Sequence, residues 1–255
     1  MKRFCFLCAN EARLLGYSSV SHIGAAAFLF AMGFLFLFLL EEYTRFAQSE
    51  LLAIAFFKAF WIPSLLIIPA ITASLFAERL GDRSFASLRI LPIRLSSILL
   101  GDWLVAYAYY LSLWAIAMLF PWMAQVLFPE IGRSMPFFPL SCALGGYAFI
   151  ALSGSFFIAI GLFCSSLLRS SLVSGVLSFA FLLAHFLSGE GLRQLEALRG
   201  KSFGPPFLSP DFYNVFLQME DFCRGIIDTR VIAFYLAGTL FFLFLAHLML
   251  DRHSV

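Results

Sequence analysis

Charge is scarce in this chain. Lysine, arginine, aspartate and glutamate together make up 13% of its 255 residues, about half the share that covers an ordinary soluble domain, so a water-exposed globule is excluded. The net charge of +2 supplies no concentrated basic face, and nucleic acid is not an expected partner. The five cysteines stand at positions 5, 8, 142, 164 and 223, a scatter that makes no disulfide framework. Ten prolines and seventeen glycines are too few for collagen-like order. A phosphate-binding loop is also missing. Gly200, Lys201 and Ser202 spell its end, but the glycine required five residues before Gly200 is Leu195, and no strand precedes it. The chain is therefore expected to bind no ATP, cofactor or metal of its own, and any energy from ATP and Mg must enter through a partner. Cys5 and Cys8 form a CxxC with no second pair of ligands nearby, and apolar packing on a helix is the expected role.

Apolar residues are what the chain has in abundance. They make up 62% of it, including 33 phenylalanines, and the mean hydropathy is +0.92. They gather in runs long enough to cross a bilayer core, which takes about 20 helical residues, and unpaired backbone groups are costly there, so the spans should be helical. Six spans are predicted, over 20–40, 56–76, 101–128, 138–164, 172–187 and 231–250. The fold class is thus all-α, a six-span integral membrane protein read as a single domain over 1–255. With 19 residues ahead of the first span and no small-residue cleavage site after Leu40, that span is expected to be retained. Six spans put both termini on one side. That side holds nine basic residues, with the densest cluster after span two, against eight on the other, so the positive-inside rule assigns the termini to the cytoplasm.

Four segments lie between the spans. Residues 1–19 carry Phe4, Leu7, Cys8, Leu14 and Leu15 at helical spacing, as an interfacial helix would, although Glu11 falls on the apolar side. Residues 77–100 hold six charges. They read either as a solvated connector or as a short amphipathic helix through Phe85, Leu88, Leu91 and Leu95, broken at Pro92, that offers arginines to a cytosolic partner. A tight inner turn is expected from Ser165 to Ser171, around Arg169. The outer loop, 188–230, contains an apolar stripe of Phe212, Val215, Phe216, Met219 and Phe222. It reads equally as a helix packed on the protein's own outer face or as a membrane-dipping helix that closes a pathway. Within the spans Asp102 is nearly alone among carboxylates, which disfavours a proton relay or an ion filter. Ser153 and His185 suggest an intramembrane serine hydrolase, but their positions in the predicted spans differ in depth by roughly 18 Å, which argues against a catalytic pair.

Three stretches carry a family resemblance: FAER (76–79) running to Pro92 and Gly101; AIGLFCSSLLRSSLVSGVLSF (159–179); and LSP (208–210) followed by FCRGIID (222–228) and Tyr235. With the span order, they make the chain similar to ABC type 2 permeases of the gliding-motility type. The resemblance implies a permease subunit of an ATP-driven exporter in a bacterial inner membrane, paired with a like or related membrane subunit and docked on a cytosolic ATPase dimer. It implies ATPase coupling through Glu78, Arg79, Arg83, Arg89, Pro92 and Arg94. The inner turn would comprise Gly161, Ser165, Ser166 and Arg169, and the outer gate Phe212, Phe216, Met219, Phe222, Arg224, Gly225 and Asp228. A non-transporting anchor for a motility or secretion apparatus is the alternative expectation.

Overall fold

The computed structural model describes residues 2–17, 19–45, 52–81, 95–127, 139–199 and 210–252. Among the described residues the regular structure is entirely helical: α1 (Lys2–Tyr17), α2 (Ser19–Arg45), α3 (Leu52–Lys58), α4 (Trp61–Gly81), α5 (Leu95–Ala117), α6 (Leu119–Leu127), α7 (Leu140–Leu167), α8 (Ser171–Arg199), α9 (Pro210–Tyr213), α10 (Val215–Cys223) and α11 (Thr229–Arg252). Six helical stretches are long and apolar enough to cross a bilayer, formed by α2, α3 with α4, α5 with α6, α7, α8 and α11. This is the pattern of a multi-pass membrane protein.

Burial orders the bundle. Of the most apolar stretch of α7, 78% is buried, against 17% for α2 and 28% for each of α8 and α11, so α7 is the central post and the others present one face outward. α11, α4, α8, α10 and α5 all pack on α7. The outward faces carry large apolar side chains such as Phe30, Phe34, Leu37, Leu240, Phe241 and Phe244, as lipid contact requires. The interior is aromatic: Phe156, Phe157, Phe186 and Tyr235 meet mostly edge to face or tilted, with centroids 5.2–6.4 Å apart, in the arrangements their quadrupoles favour.

Several boundaries differ from expectation. The second span begins earlier, at α3, and turns at Ala59–Phe60 before α4; the third breaks at Met118 into α5 and α6. The helix of the fifth predicted span does not stop at Leu187. α8 runs to Arg199, so the helical-looking GLRQLEALR stretch of the outer segment forms one continuous helix with the fifth predicted span, its spacing uninterrupted by proline. The predicted inner turn is shorter than expected: Ser165 and Ser166 are the last buried residues of α7, and only 168–170 leave the helix.

Candidate functional site

α4 ends in a polar clasp. Arg79, in its last turn, donates from one guanidinium nitrogen to Glu11 Oε2 of α1 at 2.6 Å and from the other to Asp102 Oδ2 of α5 at 3.0 Å. The three side chains are 18%, 10% and 0% exposed, so one forked cation ties three helices together in a poorly hydrated site. Burial alone would weaken the guanidinium's charge; the carboxylates of Asp102 and Glu11 outweigh it and hold Arg79 more firmly protonated than usual. Two carboxylates face one arginine, and Asp102 Oδ1 finds no hydrogen-bond partner among the described residues.

A fourth helix holds the same tip. Ser165 of α7 accepts hydrogen bonds from the backbone N–H groups of Phe76 and Ala77, both at 3.0 Å, and donates to the carbonyl of Ala73 at 3.1 Å. One turn earlier, Gly161 faces Thr72 so closely that a β-carbon there would overlap it. Ser166 bonds within α7, to the carbonyl of Phe163, and Arg169 is exposed at the turn. Of the residues expected to form the coupling segment, Arg79 is thus turned into the bundle. Arg83, Arg89, Pro92 and Arg94 lie outside the described residues, as does the side chain of Glu78.

A second clasp sits at the other end of α4, about 27 Å away at 1.5 Å per residue. Lys58, which closes α3, meets Glu220 of α10 at 2.7 Å, and Glu220 also pairs with Arg224. The hydrogen bond from Lys58 is the main reason the Glu220 carboxyl is held below the usual carboxylate range, with Arg224 adding to it. The α9–α10 segment is fixed on every side. Arg193 of α8 meets Asp211 at 3.1 Å. Tyr235 of α11 donates to Gln218 Oε1 at 2.8 Å, while Gln218 Nε2 donates to the carbonyl of Phe212. Phe216 lies against Trp61 and Phe186, Phe222 against Phe149, and Met219 is fully buried. Every residue expected to form the outer gate belongs to this segment or its exit.

The local chemistry explains its shape. Asn214 caps α10 by accepting from the N–H groups of Phe216 and Leu217, as N-cap asparagines do. FCRGIID proves to be a helix stop followed by a helix start. Gly225, at φ +82°, lets the N–H groups of Gly225 and Ile226 reach the carbonyls of Phe222 and Asp221, a Schellman closure. Asp228 then accepts from the N–H of Arg230 at 2.8 Å and opens α11.

The depth argument against a Ser153–His185 pair does not hold. Because α8 continues a dozen residues beyond the predicted span, His185 sits well inside the bundle, its ring 5.3 Å from Phe156 and 5.6 Å from Phe157, within about a turn of Ser153. The hydroxyl of Ser153 nevertheless donates to the carbonyl of Phe149 at 2.8 Å, and His185 Nε2 has no hydrogen-bond partner among the described residues. No group of three or more metal-ligating side chains is found among the described residues.

Sequence reasoning missed Lys58, Glu220 and Gln218, and saw Glu11 only as a misplaced charge. A lone lysine in an apolar run and a carboxylate on an apolar helix face were the available signals. Comparison with protein families, with curated proteins and with solved structures finds no match.

Proposed function

We propose that the chain is the membrane-spanning permease subunit of an ATP-driven exporter, paired with a like or related subunit and worked by a cytosolic ATPase dimer. The observation that carries this reading is the fastening of the α3–α4 span at both ends: Lys58, which closes α3 just before α4, holds Glu220, and Arg79 in the last turn of α4 holds Glu11 and Asp102. Its tip leads directly into residues 82–94, which hold Arg83, Arg89 and Arg94. In this reading both termini and residues 82–94 face the cytoplasm of a bacterial inner membrane, and α1 lies along the inner surface. The α9–α10 segment is the outer gate, dipping toward the membrane. A push on residues 82–94 as the ATPases close loads α4 at its tip, and α4 passes the load through Lys58 to Glu220 and α10. Packed interfaces of this kind switch between discrete arrangements rather than deform gradually.

The test is affinity purification of the tagged full-length chain from its native membrane. A cytosolic ATPase and ATP turnover should be recovered with it, and Arg83→Glu combined with Arg89→Glu should lose both. Unchanged recovery and turnover would remove the docking role. Recovery of the ATPase with no solute movement in vesicles would leave an anchoring subunit in place of an exporter.

A further inference from the structure

The α9–α10 segment meets α7 where each of the two carries a buried cysteine. Cys142 lies in the first turn of α7 and Cys223 closes α10; they are 3% and 4% exposed. Backbone packing brings them together. A β-carbon at Gly145, one turn along α7 from Cys142, would overlap the carbonyl of Phe222 and stand 3.3 Å from the α-carbon of Cys223. Cys142, in the turn of α7 just before Gly145, therefore stands within about one helical turn of the contact that Cys223 makes, and both sulfurs are reduced. The fold brings together two helix ends whose cysteines lie 81 positions apart in sequence, and a disulfide asks that their α-carbons approach to about 6 Å.

We propose that Cys142 and Cys223 are a disulfide-forming pair that fixes α10 on α7. The oxidant is a thiol disulfide, either small or carried by an oxidoreductase. One cysteine loses its proton to solvent and attacks a sulfur of the reagent; the reagent's S–S bond breaks, a mixed disulfide forms and one reagent thiol leaves. The second cysteine, likewise deprotonated, attacks the mixed disulfide, the Cys142–Cys223 bond forms and the second reagent thiol leaves. Two electrons pass to the reagent, whose released thiols take up the protons. The pairing itself depends only on the packing of α7 and α10. Its role as a lock rests on the reading of α9–α10 as an outer gate, which would put the pair on the side of the membrane where disulfides persist.

The experiment uses the full-length chain in detergent, with Cys5, Cys8 and Cys164 replaced by serine, equilibrated in buffers of reduced and oxidised glutathione. Samples are then denatured in an alkylating reagent and mapped by mass spectrometry. The expected product lacks a pair of hydrogens, joins the peptides containing 142 and 223, and reverts with dithiothreitol. It should form at an oxidised-to-reduced ratio roughly tenfold or more lower than in the same chain unfolded in SDS, because the fold raises the effective concentration of one thiol at the other. Gly145→Ser, which forces α10 off α7, should move the midpoint toward the unfolded value. Recovery of both cysteines alkylated, of singly glutathionylated chain without a cross-link, or of a midpoint equal to that in SDS would overturn the pairing. Hydrogen exchange of the α10 amides separates the lock from the pair: it should slow when the bond forms, and unchanged exchange in a fully cross-linked chain would leave the pair standing and remove the lock.

Discussion

Arg79 is the residue on which the α1 end of the bundle turns. Its fork satisfies one oxygen of Glu11 and one of Asp102, so Arg79→Met would leave two carboxylates in a site where Asp102 has no exposure. Breaking a buried pair in this way costs about 3 kcal/mol, expected as a fall in the thermal unfolding temperature of the detergent-solubilised chain. Adding Asp102→Leu should restore part of the loss, because the two side chains are coupled rather than independent. Arg79→Lys should fall short of the wild type, since a point charge does not reproduce a forked bond to two partners. Gly225 makes a separate test at the opposite end. With φ +82°, Gly225→Ala puts a β-carbon into the left-handed region at a cost of about 1 kcal/mol, expected as faster hydrogen exchange in the last turn of α10 with little change elsewhere.

Among elements, α10 depends most visibly on pH. The Glu220 carboxyl is held below its ordinary value of 4.5 by Lys58 and Arg224. A depressed carboxylate contributes stability that is present above the unfolded value and lost as pH falls through the folded one. Protection of the α10 amides is therefore expected to be flat near neutrality and to fall below about pH 4.5, and Lys58→Met should remove most of that dependence. With both partners partly exposed, the contribution is about 1 kcal/mol. α4 behaves differently. Its tip is held by Ser165 through three backbone groups, none of which titrates, so Ser165→Ala should weaken the α4–α7 seam equally at every pH.

For the whole molecule, the proposed topology of six crossings puts the chain's ends and residues 82–94 on one side and the α9–α10 segment on the other. Single cysteines introduced at position 83 and at position 224 in a chain lacking native cysteines should react with a membrane-impermeant maleimide from opposite faces, with position 83 reached only from the cytoplasm. Labelling of position 83 from outside would reverse the orientation, and the proposed coupling to a cytosolic ATPase with it. The six-span plan would survive, since it rests on length and hydropathy rather than on side.

Much of this was legible along the chain. Six apolar runs, an all-helical class and the apolar stripe of 212–222 follow from periodicity and the cost of unpaired backbone in lipid, which are local properties of sequence. Glu11 shows where local reading ends. On α1 alone it is a charge on the wrong face, and it makes sense only because the fold brings Arg79, 68 positions away, to meet it. The end of α8 shows a related limit: a fall in hydropathy signals leaving the bilayer, but a helix continues wherever its spacing and hydrogen bonds allow, here to Arg199. Composition and pattern determined that the chain lives in a membrane as helices. The pairing of Lys58 with Glu220 and of Arg79 with two carboxylates was decided by tertiary packing alone, because interactions between residues distant in sequence leave no periodic trace in any one of the segments that make them.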